Sequence, residues 1–420
     1  MSGHESILVV GGGISGLTAA VEAAEVGYDV HLVEKSSYLG GRVARLNQYF
    51  PKLCPPYCGL EINFRRIRQN PRITTYTQAE VTNIEGKAGA YKVTIALQPR
   101  LVSDACTACD ACTAVCPVER DDEFNYGIGK TKAIFRPHPM SFPLRYAIDT
   151  DACEGETCGK CVGACPFKAI DIGAKAQETV LEVGAIVVAT GWQPYDAARL
   201  EHLGGASEPD VITNVVMERL ASPNGPTGGT IARPSDGKPI SSIAFVQCAG
   251  SRDENHLPYC SGVCCLAALK QATYVRSQHP DARIYFFYID IRAPGRNEDF
   301  YAQVARDEKL TLRRGKVAKV TRKSDGTLLV EAEDTASNQK TSETVDLVVL
   351  ATGMQPSHAS SALPGDLECD DYGFLAANAK GNGVFSAGCA KNPVDVATSV
   401  QDATAAALKA IRTIAAGRVA

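Results

Sequence analysis

The sequence predicts an α/β protein built on a Rossmann-like dinucleotide-binding fold, interrupted by a smaller α+β insertion. Three observations predict this fold class: a glycine-rich strand–turn–helix near the start of the chain, two later strands that each end in Ala-Thr-Gly, and cysteines grouped at ligand spacing. The chain has 420 residues, of which 16 are cysteines. At roughly 150 residues per domain, this length allows two to four domains. A large intracellular chain gains little from disulfides, so the cysteines indicate metal or redox chemistry.

Charge and hydropathy exclude several classes of partner. Lys and Arg number 43 against 47 Asp and Glu, which gives a net charge of −4. No basic excess marks a nucleic-acid-binding protein. The apolar runs are far shorter than the ~20 residues that cross a membrane, and no secretion signal precedes the first strand pattern. The sequence therefore predicts a cytoplasmic protein with no membrane span of its own.

The first motif predicts dinucleotide binding. The apolar run Ile7–Val10 predicts a buried parallel strand, and a G-x-G-x-x-G pattern follows at once. Gly11 permits the tight turn, Gly13 lets a pyrophosphate approach the backbone, and Gly16 lets helix and strand pack closely. A predicted helix directs its amino terminus at the phosphates, and a second strand ends at Glu34, whose carboxylate can accept from a ribose hydroxyl. The predicted cofactor contacts are Gly11, Gly13, Ile14, Ser15, Gly16, Glu34 and Lys35.

Later segments favour FAD over NAD. Leu39-Gly-Gly-Arg42, the strands over 184–191 and 346–353, and the segment 383–388 before a predicted helix over 394–415 resemble flavoproteins with two dinucleotide-binding domains. Those flavoproteins commonly carry Asp after the last glycine, whereas this chain has Cys389. The resemblance implies a thioredoxin-reductase-like fold. It also implies FAD contacts at Gly40, Gly41, Arg42, Val81, Ala189, Thr190, Gly191, Gly353, Gly388 and Cys389.

The region that should bind a second dinucleotide has a different pattern. Strands are predicted over 243–247 and 283–289 with a helix over 261–277 between them, but no G-x-G-x-x-G follows the first strand. Without that turn, NAD(P)H binding is not expected. Four cysteines stand there instead: Cys248, Cys260, Cys264 and Cys265.

These four cysteines favour a third iron–sulfur cluster of unusual geometry, because four soft ligands converge at a strand end and a helix start. The alternative is a redox disulfide between two of them, with the others buried as small apolar residues. Lys270 follows five residues after Cys265. If the cluster abuts the flavin, Lys270 could set the charge near the reactive nitrogens of the ring and tune its potential. The alternative is a lysine exposed to solvent.

An inserted segment carries two ferredoxin-type cysteine runs. The spacing Cys106-x2-Cys109-x2-Cys112-x3-Cys116-Pro predicts three ligands for one [4Fe–4S] cluster, with the fourth cysteine reaching the other cluster. In the second run, Cys153-x4-Cys158-x2-Cys161-x3-Cys165-Pro, two extra residues separate the first two cysteines. Structural zinc is the alternative for any four-cysteine motif, but the paired Cys-Pro endings favour iron–sulfur. The predicted ligand sets are Cys106, Cys109 and Cys112 with Cys165, and Cys153, Cys158 and Cys161 with Cys116. A strand is expected over 169–172.

Cys54 and Cys58 stand in Phe50-Pro-Lys-Leu-Cys54-Pro-Pro-Tyr-Cys58. A ligand role, a redox pair and a structural role all remain open, and the structural role is favoured. The predicted domain segments are 1–100, 176–240 and 346–420 for FAD binding, 101–175 for the two-cluster ferredoxin insertion, and 241–345 for the half remodelled around cysteines.

The motif Cys248-x-Gly-Ser-Arg-Asp, the cysteines at 260, 264 and 265, and the closing segment 383–395 resemble the A subunit of heterodisulfide reductase and its relatives. Within that family, the insertion and the segment 50–58 are most similar to the branch found in the quinone-interacting membrane-bound oxidoreductase complex. The resemblance implies a homologous flavin and iron–sulfur B subunit, a haem-containing membrane subunit that attaches the complex peripherally to the inner membrane, and electron exchange with adenylylsulfate reductase.

Two other functions are compatible with the pattern. An NAD(P)H-linked oxidoreductase similar to the small subunit of glutamate synthase would share the flavin fold and clusters, but it would need a second glycine-rich turn after Val246. A non-enzymatic assembly subunit with purely structural clusters is the third interpretation. The predicted architecture also permits, without establishing it, the splitting of a flavin's two electrons to different potentials.

Overall fold

A computed structural model shows two compact units and describes residues 5–205, 207–335, 337–365, 367–376 and 381–417. The first unit comprises Met1–Trp192, Pro356–Asn392 and Val396–Ala420, and the second comprises Gln193–Gln355 and Pro393–Asp395. No helix among the described residues is both long enough and apolar enough to cross a membrane.

Strands and helices alternate along the chain. Up to residue 194 they are β1 (Ile7–Val10), α1 (Ile14–Val26), β2 (Val30–Glu34), α2 (Tyr57–Gln69), β3 (Ile73–Thr77), β4 (Ala79–Lys87), β5 (Ala90–Leu97), α3 (Ala111–Val115), β6 (Glu119–Asp121), β7 (Lys130–Lys132), β8 (Ile134–Phe135), β9 (Ala147–Ile148), α4 (Lys160–Ala164), β10 (Gln177–Val183), β11 (Ala185–Val188) and β12 (Trp192–Pro194). Those that follow are β13 (Val211–Thr213), α5 (Asn214–Ala221), β14 (Ser242–Ala249), α6 (Cys264–Gln278), β15 (Arg283–Tyr288), α7 (Asn297–Val304), β16 (Leu310–Arg314), β17 (Val317–Arg322), β18 (Leu328–Asp334), β19 (Gln339–Val345), β20 (Leu347–Thr352), β21 (Met354–Pro356), α8 (Ser357–Ser360), β22 (Val384–Ser386) and α9 (Val396–Gly417).

The first unit is organised around a parallel sheet in the order β22-β11-β1-β2-β3. Successive side chains of β1 point to opposite faces: Ile7 and Val9 join a core with α1 and α9, whereas Leu8 and Val10 join a core with the antiparallel sheet β10-β5-β4. Both faces of the central sheet are therefore covered, which explains why β1 is apolar throughout.

The cysteine-rich insertion is part of the first unit. Its core contains Leu101, Ile134, Ile148 and Ile170, with cysteines packed among them. The strand expected over 169–172 is reduced to a single bridge between Val102 and Ile170. Such a small core is typical of a domain that needs a metal group to fold stably.

The second unit holds a parallel sheet in the order β13-β20-β14-β15-β16 and an antiparallel sheet β17-β18-β19. Residues 193–240 and 346–355 lie in this unit rather than with the flavin-binding segments to which the sequence assigned them. The reason is that β13 pairs with β20 and α5 packs on α6.

Candidate flavin cradle and cysteine clusters

Three glycines shape the turn between β1 and α1. A Cβ at Gly11 would lie 2.3 Å from the carbonyl oxygen of Ala189, and one at Gly16 would lie 1.7 Å from that of Gly11. At Gly13, by contrast, a Cβ would meet only the Cα of Gly41, at 4.0 Å. Two glycines thus permit close backbone packing, and Gly13 leaves space for a pyrophosphate at the amino terminus of α1.

The carboxylate of Glu34 is fixed by the backbone. Its oxygens accept from the amide of Gly12 at 2.6 Å and from the amide of Ser36 at 2.7 Å. The neighbouring turn is joined to the same loop, since the amide of Gly40 donates to the carbonyl of Gly12 at 2.8 Å. A carboxylate oxygen has a second lone pair, so Glu34 can still accept from a ribose hydroxyl. Lys35 follows it and lines an open cleft.

The turn at Gly388, the last segment of the predicted flavin site, lies against the start of α1. A Cβ at Gly388 would lie 2.2 Å from the hydroxyl of Ser15, and the Gly388 amide donates to the carboxylate of Asp402 at 2.9 Å. Cys389 is buried, with its sulfur 3.9 Å from the hydroxyl of Ser399. Asp402 was missed by sequence reasoning, although its position three residues after Ser399 on α9 places it on the same face of that helix.

Arg42 makes contacts within the protein that the sequence did not predict. Its guanidinium donates to the carbonyl of Trp192 and, at 3.2 Å, to the hydroxyl of Tyr126. It also lies 5.0 Å from the ring centroid of Trp192 and 5.9 Å from that of Tyr126. The turn that begins at Gly40 is thereby joined to the cysteine-rich insertion.

The remaining predicted flavin contacts fall in different places. Ala189, Thr190 and Gly191 follow β11 in the first unit, and Val81 is buried in β4. Gly353 lies in the second unit, where a Cβ would be 2.1 Å from the hydroxyl of Ser251. The glycine at 353 is therefore explained by packing within its own unit.

The eight insertion cysteines line two cavities of about 310 and 350 Å³, mouths included. In each cavity, three cysteines come from one run and the fourth from the other. The smaller is lined by Cys106, Cys109, Cys112 and Cys165, and the larger by Cys116, Cys153, Cys158 and Cys161. These are the two predicted ligand sets, each around its own cavity.

At three sites a cysteine sulfur accepts from the backbone amide two residues further along the chain. The amide of Ala108 donates to Cys106 at 3.4 Å, and the amide of Gly155 donates to Cys153 at 3.5 Å. In the second unit, the amide of Gly262 donates to the sulfur of Cys260 at 3.3 Å. All three donors have a positive φ, of 56°, 65° and 71°. Amide donors stabilise a thiolate and raise the potential of a cluster bound to it.

Cys260 is one of four cysteines gathered near the carboxyl end of β14. Cys248 lies in β14 with a φ of 54°, and Cys264 and Cys265 are the first two residues of α6. Burial, reinforced by the neighbouring thiols, raises the pKa of Cys264, and burial followed by the Cys265 thiol raises the pKa of Cys248 to about 11. A cluster bound here must displace those protons, so its assembly would be coupled to proton release.

Lys270 is buried and paired. Its ammonium lies 3.0 Å from a carboxylate oxygen of Glu218, and both side chains are less than 5% exposed (4% and 3%). Glu218 also accepts from Gln271 at 2.8 Å and faces the Tyr274 hydroxyl at 3.4 Å. The solvated-lysine interpretation is therefore wrong, because an exposed residue could not make this buried ion pair. The flavin-tuning role stays a prediction.

The insertion cysteines have the arrangement of cluster ligands, with four of them around each cavity. A single zinc ion needs all four ligands to meet at one point, whereas each thiolate around a [4Fe–4S] cube binds a different iron. Four sulfurs spread around the wall of a cavity match the second geometry.

Comparison with known proteins identifies the relatives of this chain. Residues 9–71 match the NAD(P)-binding Rossmann-like domain family. The A subunit of the ferredoxin/F420H2-dependent CoB–CoM heterodisulfide reductase of Methanosarcina acetivorans is 41% identical over 427 residues, which cover 99% of this chain and 54% of that protein. One of the iron–sulfur A subunits of the CoB–CoM heterodisulfide reductase of Methanopyrus kandleri is 39% identical, over 98% of this chain and 65% of that protein.

The homologues of this chain are A subunits of heterodisulfide reductase. The predicted resemblance to those subunits is confirmed, and the chain spans only 54% to 65% of the length of these two proteins. Thioredoxin reductases of T. acidophilum and Lactococcus lactis share its fold at 11% and 12% identity, with TM-scores of 0.53 and 0.52. They cover 99% and 98% of this chain and 99% of their own, which confirms the predicted thioredoxin-reductase-like fold.

Proposed function

We propose that this chain is the FAD- and iron–sulfur-containing electron-transfer subunit of a multi-subunit oxidoreductase. The observation that carries the proposal is the division of eight insertion cysteines into two groups of four, each around one cavity. A third [4Fe–4S] cluster is proposed at the four cysteines of the second unit. When bound, FAD accepts electrons in pairs and iron–sulfur clusters pass them singly, so together they convert two-electron into one-electron transfer.

The side chains of the protein have separate tasks in this function. The open position at Gly13 and the fixed carboxylate of Glu34 would hold the pyrophosphate and the adenosine ribose. The amides of Ala108, Gly155 and Gly262 would adjust the potentials of the clusters through their bonds to sulfur. The flavin-tuning role predicted for Lys270 remains part of the proposal, with Glu218 as the counterion of its ammonium.

NAD(P)H is not proposed as the electron donor. The connection from β14 to α6 runs over 250–263 and carries Cys260, where a dinucleotide site would have a short glycine-rich turn into the helix. Electrons would therefore arrive from and leave to other proteins. The names of the relatives support this, since they describe subunits of larger reductases.

The first experiment is the iron, sulfide and flavin content of anaerobically purified protein, followed by reduction with dithionite or NADH. We expect about twelve irons and one FAD per chain, reducible by dithionite and unresponsive to NADH. Cys264→Ser should remove about four irons and leave the insertion clusters intact, whereas Cys369→Ser, at an exposed cysteine, should remove none. About eight irons in the unaltered protein would exclude the third cluster, and rapid reduction by NADH would contradict the assignment of protein partners.

More specifically, we propose that this chain is the A subunit, QmoA, of the quinone-interacting membrane-bound oxidoreductase complex. The segment Phe50–Cys58 and the two-run insertion support it. The partners would be adenylylsulfate reductase, a haem-containing membrane subunit, and a homologous flavin and iron–sulfur B subunit. The protein would be cytoplasmic and attached peripherally to the inner membrane. Electrons would pass between the quinone pool and adenylylsulfate reductase, and flavin-based bifurcation or its reverse would be available to this architecture.

The second candidate is an A subunit that serves a heterodisulfide reductase, which the 41% identity to a methanogen protein favours. Reoxidation of the dithionite-reduced chain with its partner subunits separates the two. Oxidation by adenylylsulfate reductase and adenylylsulfate, with no response to CoM-S-S-CoB, is expected from the first candidate. The opposite result would support the second.

A further inference from the structure

Cys54 and Cys58 lie outside the cysteine groups described above, and the structure brings both to one tyrosine. The amide of Tyr49 donates to the carbonyl of Cys54 at 3.2 Å, as part of an antiparallel bridge. Two prolines then reverse the chain, and the amide of Cys58 donates to the carbonyl of Pro55 at 3.1 Å. Cys58 is the second residue of α2.

The side chain of Tyr49 spans from one cysteine to the other. A Cβ at Gly59 would lie 2.5 Å from the Tyr49 hydroxyl, so this hydroxyl rests on the first turn of α2, beside Cys58. Burial, followed by the thiols of Cys54 and Cys58, raises the pKa of Tyr49. The backbone of Tyr49 thus pairs with Cys54, and its hydroxyl rests beside Cys58.

One cysteine of the pair is exposed to solvent, and the pair lies close to the turn that contacts the loop between β1 and α1. Cys58 is exposed, and Cys54 is half-buried. Two residues after Cys58, the side chain of Leu60 would lie 3.2 Å from a Cβ at Gly40, whose amide donates to the loop between β1 and α1. Solvent therefore reaches one sulfur, while the helix that carries it packs on the dinucleotide turn.

We propose that Cys54 and Cys58 form a thiol–disulfide couple that exchanges two electrons with an external disulfide. The Cys58 sulfur attacks the external disulfide, which forms a mixed disulfide and releases one thiol. The Cys54 sulfur then displaces the second thiol and closes the internal disulfide. The two cysteine protons end on the released thiols, and the external disulfide takes up both electrons. This couple is independent of the flavin and cluster assignments made above.

Trypsin isolates the pair on one peptide. Cleavage after Lys52 and Arg65 gives residues 53–65, which contain no other cysteine, and the peptide 341–380 contains only the exposed Cys369. The anaerobic holoprotein is equilibrated with glutathione and glutathione disulfide in graded ratios, quenched in acid, alkylated and digested. Mass spectrometry then reads the state of both peptides in the same sample.

We expect peptide 53–65 to change from doubly alkylated to an unalkylated form, two mass units lighter than the dithiol, as glutathione disulfide increases. Because the second thiol is held nearby, this closed form should exceed the glutathione adduct by about tenfold or more, whereas Cys369 should form only an adduct. Cys58→Ser should abolish the closed form. Double alkylation of 53–65 throughout the series, or an adduct without closure, would overturn the proposal.

Discussion

The turn that directs an amide at a cysteine sulfur has glycine in two of its three copies and alanine in the third. Gly155 and Gly262 adopt positive φ without cost, whereas Ala108 holds the same conformation with a Cβ. An L-residue in this region is less stable by roughly 1–2 kcal/mol, and glycine loses part of that advantage through its greater freedom in the unfolded chain. At this turn the first run therefore carries local strain that the second run avoids with Gly155.

Opposite substitutions at these turns should change stability in opposite directions. Gly155→Ala, where a Cβ would meet no atom within 4 Å, should lower the free energy of unfolding by about 1 kcal/mol through φ alone. Ala108→Gly should raise it by about 0.5 kcal/mol. Urea unfolding of the anaerobic holoprotein measures both changes. Equal changes of the same sign would contradict the view that residues 108 and 155 adopt the same positive-φ turn.

Asp210 should make the second unit sensitive to acid. Its side chain is fully buried and accepts from the hydroxyl of Ser235 at 2.7 Å and from Arg322 at 2.9 Å. Burial alone would raise the pKa of Asp210, but the bonds from Ser235, Arg322 and the nearby Arg233 hold it below its ordinary value of 3.8. Since the folded pKa is lowered, this stabilisation is complete above pH 3.8 and is lost as the pH falls through the folded value.

Asp210→Asn should therefore lower the stability of the second unit by roughly 2–4 kcal/mol at pH 7, because two arginines lose their carboxylate. The same variant should flatten the dependence of stability on pH below about 4. Urea unfolding at pH 7 and at pH 3.5 tests both effects. Asp325→Asn, an exposed carboxylate of the same unit, is the control and should change little at pH 7. An unchanged acid dependence in Asp210→Asn would exclude the proposed linkage.

At the scale of elements, the exchange of the fourth cysteine ties α3 and α4 together. Each cavity takes a residue from the end of the opposite helix, Cys116 after α3 and Cys165 after α4. The loss of one cysteine should therefore expose ligands of the other run. Loss of iron alone would not test this, because it is also expected if each run supplied all four ligands of its own cluster.

Cys116→Ser should make Cys153 and Cys158 reactive to alkylation in the native state, while the remaining cysteines of peptide 101–120 stay protected. Cys165→Ser should do the reverse. Tryptic peptides 101–120 and 146–160 separate the two runs. Labelling within the run that carries the substitution, and not in the other, would contradict the exchanged ligand sets.

Arg42 joins two elements that are distant in sequence. Arg42→Lys should keep the charge but lose the planar contact with Trp192 and one of two hydrogen bonds, at a cost of about 1–2 kcal/mol. Trp192 is the only tryptophan, so its emission should shift to longer wavelength as water reaches the indole. Arg68→Lys, which alters a similar contact with Phe142 at 5.3 Å, should leave the emission unchanged. An unshifted emission in Arg42→Lys would show that this contact does not cover the indole.

Local sequence predicts local structure well in this chain. The predicted strand 7–10 coincides with β1, and the helix predicted over 394–415 corresponds to α9. Contacts between residues far apart in the sequence were not predictable. Asp402 on α9 accepts from the amide of Gly388, and Glu218 on α5 forms an ion pair with Lys270 on α6. The helix expected from Ser261 begins at Cys264, because the hydroxyl of Ser261 instead accepts from the amide of Met354 at 2.8 Å. Spacing rules carry no information about such partners.

At the scale of the whole molecule, the two units differ in how the chain builds them. The second unit is formed almost entirely by one continuous stretch, Gln193–Gln355. The first unit receives β22 and α9 only after that stretch, and its sheet is completed when β22 pairs with β11. The amide of Gly388 and its partner Asp402 belong to this late segment.

The late arrival of β22 and α9 sets an order of events on the ribosome. Chains emerge from the amino terminus, so the second unit can fold while the first still lacks an edge strand and the helix that covers α1. The turn at Gly388 cannot close on Ser15 until translation has passed α9. Nascent chains should therefore bind their dinucleotide at the loop between β1 and α1 only after α9 has emerged from the ribosome, and until then the face of α1 that α9 covers is open to chaperones.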